Sequence, residues 1–65
     1  MINPGVNISG GVRIEDRVLV GTGSQILENI SIGSDAVIGA GAVVCKNVLP
    51  GQTVVGAPAR PIQRA

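Results

Sequence analysis

Counting from Ile2 in steps of six reaches Ile8, Ile14, Val20, Ile26, Ile32, Ile38 and Val44, and all eight positions are isoleucine or valine. These two residue types make up a little over a quarter of the chain. An unbroken run of eight in one register therefore has a chance on the order of one in tens of thousands. Two residues before each lies a second set, Val6, Val12, Val18, Ser24, Ile30, Ala36, Ala42 and Val48, all small or apolar. On a helix, a step of six turns the side chain by about 240°, which would scatter these residues around three sides. Both sets fall on even positions, the alternation of a strand. The even positions between them are Pro4, Gly10, Asp16, Thr22, Glu28, Ser34, Ala40 and Lys46. They interrupt the apolar face at every third step, as corners would.

The adjoining column reads Gly5, Gly11, Arg17, Gly23, Asn29, Asp35, Gly41 and Asn47. All but Arg17 are Gly, Asn or Asp, the residues that best tolerate a left-handed backbone conformation. Each six-residue unit is thus a short strand followed by a turn with positive φ. Three units close a triangular coil of 18 residues, and stacked coils pair strand on strand at about 4.8 Å. The fold expected is all-β, a parallel β-helix of hexapeptide repeats. The spacing alone does not set its hand. Arg17 is the misfit, where strain or a looser turn is expected. Units one to eight, residues 1–49, give about two and two-thirds coils. Leu49-Pro50-Gly51 should end the repeat, because proline removes a ladder donor and glycine permits a turn. Residues 50–65 would form a closing segment, with Thr53-Val54-Val55 as a short strand and an extended tail at Pro58 and Pro61.

Composition narrows the function. A chain of 65 residues is at most one small domain, and such chains often need a staple or a partner. The single cysteine, Cys45, allows no internal disulfide, and without histidine or a Cys pair no structural zinc site is expected. The core must come from aliphatic side chains, since Phe, Tyr and Trp are absent. A net charge of +1 with no basic stretch among stacking aromatics argues against nucleic acid as a partner. No signal-like start or apolar run of about 20 residues is present, which implies a soluble, cytoplasmic protein. Asn7-Ile8-Ser9 and Asn29-Ile30-Ser31 match the glycosylation pattern, but without a secretion signal they read as chance.

Residues 18 apart stack on one side of such a coil. Gly21-Thr22-Gly23 therefore lies below Gly39-Ala40-Gly41, a side with no large side chain. Glycines there let a backbone or an amide-bearing ligand approach main-chain groups closely, although positive φ is by itself reason enough for a glycine at a turn. Met1, Leu19 and Val37 form an apolar line on the exterior, read as part of a subunit interface.

The tail IGAGAVVCKNVLPGQTVVGAPAR, with its Ile-Gly-Ala-Gly-Ala, Lys-Asn and Val-Gly-x-Pro-Ala-Arg, resembles the closing segment of the left-handed β-helix acyltransferases. The opening INPGVNISGGVRI resembles the sugar O- and N-acetyltransferases of the sialic-acid and bacillosamine type. The resemblance implies a left-handed coil, a homotrimer, and acetyl-CoA as cosubstrate, its pantetheine arm lying along a coil edge between two subunits. By residue match it implies backbone contacts to coenzyme A at Thr22, Ala40 and Cys45. It implies basic contacts to the nucleotide phosphates at Lys46 and Arg60, residue types suited to phosphate as a fixed charge and a fork donor. It also implies that the backbone amide of Gly10 faces the thioester oxygen, where a donor stabilises a developing oxyanion. The bland alternatives are a corner glycine at Gly10, a solvated charge at Lys46 and a bystander thiol at Cys45.

The resemblance also exposes a gap. Acetyl transfer requires the acceptor hydroxyl or amine to lose a proton, usually to histidine. By residue match the family's catalytic histidine would lie about nine residues before Met1, and this chain contains none. Glu15, Asp16 and Glu28 could accept protons, but the sequence places no pair of them in a cleft. The chain is therefore expected to be the C-terminal, acetyl-CoA-binding part of a longer sugar or nucleotide-sugar acetyltransferase, inactive alone. The alternative is a non-catalytic trimerisation module from a truncated gene. An ice-binding face would need rows of threonine, and only Thr22 and Thr53 exist.

Overall fold

The structure, a computed structural model, describes residues 1–62; the end of the closing segment, 63–65, lies outside the described residues. Seven two-residue strands follow one another at intervals of six: β1 (Asn7–Ile8), β2 (Arg13–Ile14), β3 (Leu19–Val20), β4 (Gln25–Ile26), β5 (Ser31–Ile32), β6 (Val37–Ile38) and β7 (Val43–Val44). Two three-residue strands close the chain, β8 (Thr53–Val55) and β9 (Arg60–Ile62). They stack into three sheets, β1-β4-β7, β2-β5 and β3-β6-β8-β9, in which every pairing is parallel except that of β8 with β9. Partners such as Asn7 and Gln25, or Ile14 and Ile32, are 18 residues apart. This is the left-handed parallel β-helix, one of the few folds whose parallel crossovers break the right-handed rule.

The inward columns form the core. Val20, Ile26, Ile32, Ile38 and Val44 are at most 1% exposed, with Ala36, Ala42, Ile30 and Val18 packed between them. Ser24 is the one hydroxyl inside the inward columns. Its Oγ lies 2.8 Å from the Gly21 carbonyl and 2.9 Å from the Gly39 carbonyl, so its single proton is shared between consecutive coils. In the first coil Ile2 is 51% and Ile8 43% exposed, although they occupy the same columns as fully buried residues above.

Seven of the eight turn positions adopt positive φ, including Arg17 at φ 57°. Arg17 thus makes the full left-handed turn rather than a looser one, and its guanidinium donates to the Asp35 carboxylate one coil above, at 2.8 and 3.1 Å. The hydrogen bond and charge of Arg17 hold the Asp35 carboxyl below its ordinary value near 3.8. Both groups are exposed, so the pair is screened and contributes little. Arg17→Gly removes the strain of positive φ and should raise the melting midpoint by roughly 3–5 °C. Because the folded-state pKa of Asp35 is depressed, the ion pair stabilises above pH 3.8 and is lost as pH falls through the lower folded value. The advantage of the glycine variant should therefore widen in acid, which thermal melts at neutral and acid pH will check.

The eighth turn position departs from expectation. Asn47 is not among the residues with positive φ, and Gly51, at φ 75°, is. The cause is a corner two residues short. Ile26 pairs with Val44 at an interval of 18, but Ile32 meets Val48 and Ile38 meets Val54 at an interval of 16. Three residues, Cys45-Lys46-Asn47, turn where other corners use five. The Asn47 side chain repairs the ladder: its Oδ1 accepts from the Ser31 N–H at 2.9 Å. The repeat therefore does not end at Leu49-Pro50-Gly51. It resumes two residues early, and Pro50-Gly51 occupies a corner as Pro4-Gly5 does, where proline costs no strand hydrogen bond. Val48 and Val54 fill the inward column, and Val48 is not the small second-set residue that an unbroken count of six makes it.

Beyond β8 the tail doubles back. The Ala59 N–H donates to the Val43 carbonyl at 2.8 Å, and β9 pairs antiparallel with β8, setting Pro61 opposite Val54 and Arg60 opposite Val55. This covers the last edge of the longest sheet, which would otherwise offer unpaired backbone groups. Among the described residues no helix is long and apolar enough to cross a membrane.

Candidate functional site

The three edges of the triangular prism carry different chemistry. One edge, between the sheets of β1 and β2, stacks Gly10, Glu28 and Lys46 on successive coils. A second, between the sheets of β3 and β4, stacks Pro4, Thr22 and Ala40, with Gly56 beyond. The third holds the Arg17–Asp35 pair.

On the first edge the short corner Cys45-Lys46-Asn47 exposes both Cys45 and Lys46. The returning tail brings Arg60 to the same place. Cys45, Lys46, Pro58, Ala59, Arg60 and Pro61 line one open hollow of about 440 Å³. Three of the five residues assigned to coenzyme A contact thus meet in a single depression with two cationic side chains. The only ion pair among the described residues is Arg17–Asp35, so no carboxylate of the described residues pairs with these cations. Cys45 opens the corner rather than lying within a strand.

Gly10 sits on that edge two coils away, about 10 Å along the axis at the usual strand spacing. Its carbonyl accepts from the Asn29 N–H at 3.0 Å, while its own N–H donates to no backbone group among the described residues. A Cβ built on Gly10 would meet nothing within 4 Å, and its φ is not positive. Neither turn geometry nor packing requires glycine there. Thr22 repeats the pattern: its carbonyl accepts from Gly41 at 2.9 Å and its N–H has no backbone acceptor among the described residues. Ala40 lies exposed on the coil above. Gly21, just before Thr22, is different. A Cβ there would lie 2.5 Å from the Ala40 nitrogen, so Gly21 is required for coil stacking.

The structure therefore brings together Cys45, Lys46 and Arg60, stacks Thr22 on Ala40, and leaves Gly10 on another edge from Thr22 and Ala40. No single edge carries all six. Sequence reasoning missed Asn47 and Gln52, which border the same end of the prism. A signal was available: Gly51 precedes Val54 by three, as Gly5 precedes Ile8. No group of three or more His, Cys, Asp or Glu side chains among the described residues could hold a metal ion.

Residues 11–46, more than half of the chain, match the family described as bacterial transferase hexapeptide, six repeats. The chain belongs to this family. Among solved structures, the acetyltransferase domain of PglB from Neisseria gonorrhoeae superposes with a TM-score of 0.92 at 39% identity, over 94% of this chain and 30% of that one. The same domain has been solved in complex with acetyl coenzyme A. PerB from Caulobacter crescentus, solved with CoA and GDP-perosamine, superposes with a TM-score of 0.90 at 29% identity, over 91% of this chain and 28% of that one. A 2,3,4,5-tetrahydropyridine-2,6-dicarboxylate N-acetyltransferase from Staphylococcus aureus is 44% identical over 83% of this chain and 23% of its own length. The chain thus spans less than a third of the length of each of these three proteins.

Proposed function

We propose that this chain is the acetyl-CoA-binding, C-terminal part of an acetyltransferase whose acceptor is the hydroxyl or amine of a sugar or nucleotide sugar. The observation that carries the reading is the hollow holding Lys46 and Arg60 on a β-helix that matches, at a TM-score of 0.92, a domain solved with acetyl coenzyme A. In this reading the two cations take the nucleotide phosphates, and the exposed backbone of Thr22, Ala40 and Cys45 meets the amides of the pantetheine arm. The free N–H of Gly10 points its dipole at the thioester carbonyl. The acceptor attacks that carbonyl, the oxyanion forms at Gly10, and the thiolate of coenzyme A leaves. The proton from the acceptor goes to a histidine outside these residues, since the sequence holds none.

The sugar acceptor rests on the likeness to PerB, solved with GDP-perosamine, and the non-sugar relative is its rival. A homotrimer fits the separation of Gly10 from Thr22 and Ala40, because a neighbouring copy can supply the second edge. The outward Met1, Leu19 and Val37, the first two 77% and 44% exposed, give that contact an apolar surface. A cytoplasmic address follows from the same cosubstrate.

Titration of the natural protein with acetyl-CoA tests the reading. Saturable binding at micromolar to sub-millimolar ligand is expected, a range of about 5–8 kcal/mol. An oligomer that takes up no acetyl-CoA at millimolar concentration would leave only the trimerisation module.

A further inference from the structure

The C-terminal mouth of the prism is a second, inner hollow of about 210 Å³, lined by Val44, Lys46, Asn47, Val48, Leu49, Gln52, Val54, Ala59 and Pro61. Its floor is the last inward triangle, Val44, Val48 and Val54. Its roof is the returning tail, held by the Ala59 N–H on Val43 and by Pro61 opposite Val54. The polar members share one property. Asn47 spends its Oδ1 on the Ser31 N–H at 2.9 Å, and Gln52 spends its Oε1 on the Leu49 N–H at 3.0 Å. What each amide still offers in full is its NH2. Lys46 has three donors and no acceptor, and forms no ion pair among the described residues. An apolar hollow is thus edged by side chains with N–H donors to spare, one of them cationic.

We propose that this mouth binds a small carboxylate with a short branched alkyl body. The alkyl group would cover the valine floor, and the carboxylate would accept from Lys46, Asn47 and Gln52. A cavity of about 150 Å³ can hold a six-atom apolar ligand such as benzene, so the mouth suits a molecule of the size of 3-methylbutanoate. An inorganic phosphate lacks the body to bury. A neutral alcohol or amide lacks the charge that would meet the Lys46 ammonium. Lys46, Ala59 and Pro61 line both the inner mouth and the outer hollow. A carboxylate inside therefore draws on the ammonium proposed for a coenzyme A phosphate outside, and each ligand weakens the other. Only this antagonism rests on the proposed function; the binding itself does not.

The test is methyl NMR of the natural protein titrated with 3-methylbutanoate, and with 3-methylbutanamide as its neutral counterpart. Expected are saturable shifts of the Val44, Val48 and Val54 methyls with the acid, and affinity at least about tenfold weaker for the amide. Gln52→Glu keeps the oxygen that holds the Leu49 N–H but replaces the remaining donor with negative charge. It should weaken the acid about tenfold or more while leaving the Ile32 and Ile38 methyls in place. Lys46→Gln should act in the same direction. Absence of saturable shifts up to about 50 mM acid, or equal affinity for acid and amide, would overturn the proposal. Acetyl-CoA added to the acid complex should lower the apparent affinity for the acid. If acetyl-CoA itself does not bind, the proposed function fails while the acid titration still stands or falls alone.

Discussion

Replacing Lys46 and Arg60 together by alanine is expected to weaken coenzyme A binding by about 100-fold, and either replacement alone by about tenfold. Hydrogen bonds to a charged group contribute about 1.5–3 kcal/mol each, and exposed positions belong at the lower end of that range. Lys46 and Arg60 are both exposed and border one hollow, so two contacts at about 1.5 kcal/mol give roughly the stated factor. Their charges act through solvent, so the loss should shrink as salt is raised toward 1 M. Calorimetric titration of the single and double variants at low and high salt measures it. A double variant within twofold of the parent would return both side chains to the status of solvated charges.

Gly21→Ala should be among the most damaging of the small substitutions, with Gly33→Ala beside it, costing about 3 kcal/mol of stability. The Cβ added at Gly21 would lie 2.5 Å from the Ala40 nitrogen, 2.8 Å from its Cα and 2.9 Å from the Gly39 carbonyl carbon. All three are backbone atoms of the coil above, which cannot yield without parting the ladder. Gly10→Ala is the matched control. A Cβ there meets nothing within 4 Å and the turn does not demand positive φ, so stability should change by no more than about 0.5 kcal/mol. Denaturant midpoints of the two variants provide the comparison. Equal losses would mean that the coil spacing around Gly21 is not as described. A loss of acetyl transfer in Gly10→Ala of the natural protein at unchanged stability would place the added Cβ against the thioester, since the backbone N–H is retained.

The two variants also show what the sequence made legible. Position counting alone placed the inward columns, the turn column and the 18-residue coil, because a prism with three strands per turn imposes its period on every residue facing inward. Its left hand came only from resemblance, since mirror coils share one period. The slip at Cys45-Lys46-Asn47 was misread because Val48 satisfies either register, as a small second-set residue or as an inward one. Only the paired evidence of Gly51 and Val54 separates the two. The hollows were not legible at all. They are made by a tail without periodicity, folded back by Ala59 on Val43 and by Pro61 opposite Val54. Arg60 was singled out through resemblance, but its meeting with Lys46 depends on that fold-back. Gly10 gained weight only when the structure removed the packing reason for a glycine there.

The central claim is that these coils are the cofactor end of a larger enzyme whose proton acceptor lies upstream. The most direct measurement is the intact mass of the protein in its source cells, with sequencing of whatever precedes Met1. The expected result is a polypeptide about three times the 6.5 kDa of this chain or more, as its 30% share of the PglB domain suggests, with a histidine in the coil just before Met1. A product of 6.5 kDa, or a longer one with no histidine upstream, would contradict it.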